Sequence, residues 1–250
     1  MTLIVGIKCK EGIVVAADSR VTMGALGQST TGQDITKLEI PHDGVIVGIS
    51  GPVGLGQRMM ASLSSSWEQF MGSKTDILKA RNQIGSLMWT QIEPEMKKAA
   101  VAIQVLGQQV AMQSSVCSSL IALPIQGQPV LLQYDHQCSS EEATLGLPFA
   151  SIGLGQKWAD PFLAFLKRSL WNDGPPPKVS DGALAAIWTI EHVIQVIPVG
   201  GVGGSVAVAT LSKHDDAWTA EFLPEELIQF HRQNIEDGVR KLAEHFEIED

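Results

Sequence analysis

Positive charge is in short supply in this chain: 18 Lys and Arg stand against 27 Asp and Glu, a formal net charge of −9. Such a surface repels phosphate, so nucleic acid is not an expected partner. Cysteine is scarce as well. Cys9, Cys117 and Cys138 are odd in number and lack metal-ligand spacing, so they read as reduced, packed thiols of a cytoplasmic protein. No metal and no organic cofactor is expected. There is no run of 18 apolar residues and no basic leader, hence no expected membrane span or signal peptide. The stretch G-P-V-G-L-G at 51 to 56 lacks the order of a dinucleotide loop, and no acidic ribose partner follows at the usual distance. His192 has no second histidine four residues on, and reads as a hydrogen-bonded buried or boundary residue rather than a ligand.

Apolar residues, by contrast, are plentiful. At 44% hydrophobic, 250 residues suffice for one single-core domain spanning 1–250. The chain opens on two alternating apolar strands between Thr2 and Gly24, joined by a Glu11-Gly12 turn, with Asp18 and Arg20 closing the second. If Met1 is removed, as a small second residue permits, Thr2 carries a hydroxyl and a free α-amine together. An α-amine with a pKa of about 8 is substantially neutral near neutral pH and can take the hydroxyl proton, making a nucleophile and its base on one residue. Lys37, at the end of D-I-T-K, would favour the neutral amine, and Asp18 would hold Lys37 charged.

The motifs Thr2, G-I-V-V-A-A-D-S-R at 12 to 20, D-I-T-K at 34 to 37 and V-G-I-S-G at 47 to 51 resemble the β-type subunits of the proteasome and their bacterial homologues, which are N-terminal-nucleophile hydrolases. The resemblance is strong over about the first 60 residues and is carried beyond them by the order of elements. It implies that Thr2 is the nucleophile, that Asp18 and Lys37 tune it, that Gly51 donates its N–H to the oxyanion and that Arg20 braces the site. It also implies stacked homo-oligomeric rings of six or seven subunits, peptide or unfolded-protein substrates and a possible unfoldase partner. By register with the family, Val21, Ile35, Ile49 and Val53 line the substrate pocket, with Glu39 as a rim charge. Two departures stand out. Leu154 takes the place of a serine that contacts the threonine amine in many family members, and V-G-G-V-G at 199 to 203 replaces a polar D-x-x-S-G element. That glycine cluster reads as a flexible loop before a strand, with substitution by backbone groups as the alternative.

Along the chain, residues 21–34 read as a polar loop, and strands are expected at about 35–41 and 44–50. A helix with the spacing of Leu55, Met59, Leu63, Trp67 and Phe70 follows Gly51-Pro52, and a second runs from Ile77 to Met88, with a kink or restart at Pro94. Strands are expected at 116–123, 128–134 and about 149–152, then helices at about 155–171 and 181–196, the latter capped by Ser180-Asp181. A hairpin over 205–212 and 217–222 turns at Lys213 to Asp216, and an amphipathic helix over about 224–247 ends the chain. This order matches the α+β, four-layer αββα sandwich of the family, two stacked antiparallel sheets between helical layers. No extended helix precedes the first strand, as in a catalytic β-type subunit.

The leading expectation is therefore a self-compartmentalising threonine endopeptidase. An N-terminal-nucleophile amidase with a dedicated small or conjugate substrate is the alternative, and a weakly active or inactive ring-forming scaffold is a third.

Overall fold

The structure, a computed structural model, describes residues 2–23, 31–71, 76–106, 116–171, 174–197 and 201–246. Its first strands are β1 (Leu3–Lys8) and β2 (Gly12–Asp18), runs of β-branched and apolar residues buried along both faces. Such two-sided burial requires a layer on each side. Leu3, Val5, Ile7, Val14 and Ala16 face one helical layer, whereas Ile4, Ile13, Val15 and Ala17 face a second sheet.

The first sheet has the order β10-β1-β2-β11-β12, with β10 at Phe149–Gly153, β11 at Val206–His214 and β12 at Ala217–Phe222. The second has the order β5-β6-β7-β8-β9, formed by Leu38–His42, Val45–Ser50, Ser118–Ile125, Gln128–Tyr134 and Ser140–Glu142. Every ladder is antiparallel. Helices α1 (Val53–Ser64), α2 (Trp67–Met71) and α3 (Ile77–Leu106) cover the outer face of the second sheet through Met59, Leu63, Trp67, Ile84 and Met88. Helices α4 (Gln156–Trp171), α5 (Val179–Val196) and α6 (Glu225–His245) cover the outer face of the first through Leu163, Ile187, Ile190 and Ile228. The result is the expected four-layer αββα sandwich.

Several local expectations need correcting. The segment read as a polar loop holds a two-stranded ribbon, β3 (Arg20–Met23) paired with β4 (Thr31–Asp34). Its low apolar content hid it, because T-G-Q-D carries no apolar alternation to mark it as a strand partner for R-V-T-M. The expected strand at 35–41 begins only at Leu38, leaving 35–37 to run past the start of β1. The helix from Leu55 to Phe70 breaks at Ser65-Ser66, where three consecutive serines compete for backbone groups; Ser64 Oγ donates to the Ala61 carbonyl. In contrast, α3 continues through Pro94 for 30 residues, because Met88, Ile92 and Ala99 stay buried on one side of the interruption and the other. The short β9 was missed altogether.

The cap expected from Ser180-Asp181 lies elsewhere. Glu11, in the β1–β2 turn, accepts a hydrogen bond of 2.9 Å from the Val179 N–H at the start of α5. The closing hairpin turns on Asp215 and Asp216 alone, both at positive φ (45° and 68°), as a two-residue turn between right-twisted strands demands. His192 stacks on Phe162 at 4.0 Å, and burial lowers its pKa below the ordinary 6.5. No helix among the described residues is long and apolar enough to cross a membrane.

Candidate active site

At the end of β2 the chain must leave the sheet core, and Asp18 is its last residue. The side chain is fully buried. A buried carboxylate is tolerable only when donors converge on it, and three do, from three separate segments. The Leu3 N–H donates to Oδ1 at 2.8 Å, Lys37 Nζ donates to the same oxygen at 2.6 Å, and the Gly203 N–H donates to Oδ2 at 3.0 Å. Asp18 thereby ties the start of β1, the segment before β5 and the approach to β11 into one cluster.

Lys37 is almost as enclosed, its side chain 4% exposed. Burial lowers its pKa from the ordinary 10.5, and the negative charge of Asp18 works in the opposite direction. Asp18 thus offsets part of the cost of burying the ammonium, and burial still outweighs it. Asp34 adds a weaker pull the same way.

The glycine cluster meets the site through Gly203. Besides the Gly203 N–H on Asp18, the Gly203 carbonyl accepts from the Arg20 N–H at 2.8 Å. A side chain at 203 would lie 2.9 Å from Arg20 Nη1, so the guanidinium covers this backbone. Backbone groups of Gly203 thus stand where the polar side chains of the family element are missing. Positions 199 and 200 lie outside the described residues.

Thr2 opens onto a cavity of about 310 Å3 that also includes Lys37 and Gly51. Val21, Ile35, Ile49 and Val53 all line it, as does Glu39. Sequence reasoning missed Val47, Gly56, Gln57 and Met60, which share the wall. A signal for three of them existed, since 53, 56, 57 and 60 follow helical spacing along one face of α1. Gly51 closes the site with φ +152°, and a Cβ there would lie 2.5 Å from Cys117 Sγ, so no other residue fits without displacing the segment that leads into β7. Hollows of about 690 Å3 beside α2 and α3, and of about 1000 Å3 between α5 and α6, are larger, but neither contains a nucleophile beside a buried cation. Among the described residues no cluster of His, Cys, Asp or Glu could hold a metal ion.

The chain is similar in fold to two solved structures. Anbu from Yersinia bercovieri, described as an ancestral beta-subunit, superposes with a TM-score of 0.68 at 17% identity, covering 99% of this chain and 97% of the other. A Gly-1 mutant of Anbu from Hyphomicrobium sp. strain MC1 gives 0.65 at 17% identity, covering 99% and 100%. No curated protein matches the chain. The proteasome subunit family model spans residues 2–169, a stretch that carries Thr2, Asp18, Lys37, Gly51 and every wall of their cavity, and the chain belongs to that family.

Proposed function

We propose that this protein is a threonine-type N-terminal-nucleophile peptidase, with Thr2 as the nucleophile once Met1 is removed. The observation that carries the reading is the shared cavity of Thr2, Lys37 and Gly51, with Asp18 holding Lys37 from behind. Thr2 Oγ1 attacks the scissile carbonyl carbon while its proton passes to the Thr2 α-amine, directly or through one water. Charge on the carbonyl oxygen is met by the Gly51 N–H. Collapse breaks the C–N bond, the amine's proton leaves with the product amine, and an ester on Thr2 remains. Water, giving its proton to the same amine, hydrolyses the ester and restores the hydroxyl. The Lys37 ammonium disfavours a second positive charge on the amine and so keeps the base neutral. Arg20 braces the Gly203 backbone that supports Asp18.

The apolar walls Val21, Ile35, Ile49 and Val53 favour a hydrophobic residue before the cleaved bond, and the Glu39 carboxylate disfavours an acidic one. Among short amide substrates, Leu or Tyr at that position is expected to turn over fastest and Glu slowest; fastest turnover of Glu would exclude this pocket assignment. The substrates proposed are peptides or unfolded chains, admitted to stacked rings of six or seven subunits with or without an unfoldase.

An amidase acting on a dedicated small or conjugate substrate is the second reading. It draws on Leu154, whose side chain is 53% exposed where a hydroxyl would serve the amine. Light scattering separates the two, since a monomer that ignores the whole peptide panel supports the amidase. The deciding experiment is intact mass before and after a peptide epoxyketone, which requires both a free amine and a hydroxyl on the terminal residue. Loss of one methionine and gain of one adduct, absent in Thr2→Ala, is the expected result. Retained Met1, or a processed chain without adduct, would favour the amidase or the scaffold.

A further inference from the structure

Side chains alternate along β6, and the alternation sends Ser50 toward Thr2. Val45 and Val47 face the helices and Ile49 packs with them, while Ile46 lies in the layer between the sheets. Gly48 follows Ile46 on that inner side, where a Cβ would touch Ile4 Cγ2 at 2.9 Å. Ser50 is the next inward position, and in β1 the next position outward from Ile4 on the same face is Thr2.

Gly153, at the end of β10, lies beside both. It has φ +95°, and a Cβ on it would clash with the Thr2 carbonyl oxygen and lie 3.1 Å from Ser50 Oγ. The Ser50 hydroxyl and the Thr2 main chain therefore flank one small space that only glycine leaves open. Ser50 is half-buried, and its hydroxyl makes no hydrogen bond to another described residue. Ile4, Ile46 and Ile152 on this layer cannot supply one, and Ser118, directly opposite on β7, makes no hydrogen bond to it.

We propose that the Ser50 hydroxyl is the positioning residue for the Thr2 α-amine. Loss of Met1 converts a peptide nitrogen with one N–H into an amine that carries two or three and a titrating lone pair, and these need partners in a half-buried site. A hydroxyl both donates and accepts, so it can hold the amine in either protonation state. This rests on Thr2 being the processed nucleophile.

The test is the second-order rate of epoxyketone adduct formation, followed by intact mass from about pH 6 to about pH 9, in wild type, Ser50→Ala, Ser50→Thr and the double variant Ser50→Ala with Leu154→Ser. Slowing by at least about tenfold in Ser50→Ala, with the acid limb of the pH profile displaced, and recovery in Ser50→Thr or in the double variant, is expected. An unchanged rate and limb in Ser50→Ala would overturn the assignment while leaving Thr2 as nucleophile. A uniform slowing without displacement of the limb, unrelieved in both rescue variants, would reduce Ser50 to packing and overturn it equally. No adduct in wild type would remove the nucleophile reading itself, and this inference with it.

Discussion

Asp18 and Lys37 act as one unit, and their coupling makes two measurable demands. Replacing Asp18 with Asn keeps the volume but removes the charge bonded directly to a buried ammonium and turns an NH2 group toward one of the three donors. Breaking a buried pair in this way costs on the order of 3–5 kcal/mol, so urea unfolding of Asp18→Asn should show a loss of that size together with loss of epoxyketone labelling. The pH dependence has a definite sign. Because burial lowers the folded pKa of Lys37 below 10.5, the unfolded chain binds more protons between those two values, and this group's contribution to stability rises with pH across that window. Arginine cannot shed its proton, so wild type should gain stability relative to Lys37→Arg as the pH approaches 10.5. Parallel unfolding curves for the two proteins, or a relative loss for wild type, would contradict the assignment. The proposed set of Thr2, Asp18 and Lys37 was readable from residue types and their order, and the structure brings the three together. The third donor on Asp18 was not, because a glycine N–H carries no signature in sequence and Gly203 lies 185 positions away.

Secondary elements were legible where apolar residues recur at a regular period or a clear turn marks them, and illegible elsewhere. The core strands and the helices of both layers have strong apolar periodicity, so their existence followed from pattern alone. The β3–β4 ribbon and the three-residue β9 carry no such stripe, and tertiary backbone pairing decides them. The start of α5 makes the same point for capping. Ser180-Asp181 has the right residue types, yet the helix begins at Val179 and the Glu11 carboxylate, 168 residues earlier, satisfies its first N–H. Glu11→Ala should therefore destabilise by about 0.5–1 kcal/mol, and Ser180→Ala by less. Thermal melts of the two variants measure the contrast, and the reverse order would return the cap to Ser180.

At the scale of the molecule, the two sheets approach so closely that Gly6, in the middle of β1, has no room for a side chain. A Cβ there would lie 2.7 Å from a Leu120 methyl and 2.9 Å from a Leu131 methyl across the interface. Gly6→Val would overfill this layer and should cost about 1–3 kcal/mol, read as a lowered denaturation midpoint with an unchanged slope. An unaffected midpoint would mean that the sheets can separate to admit it. The same closeness places the site. By itself the sequence determined the order of strands and helices, the two-sided burial of β1 and β2, and the presence of a threonine, an aspartate and a lysine in an order that suits nucleophilic chemistry, because apolar periodicity and residue type are local properties. Only the tertiary structure decided that Val47 of β6 shares the cavity with Thr2, that Gly203 completes the shell of Asp18, and that Ser50 and the Thr2 carbonyl both border Gly153. Those contacts join segments tens to hundreds of residues apart, and their geometry follows from how the layers stack, which no local pattern encodes.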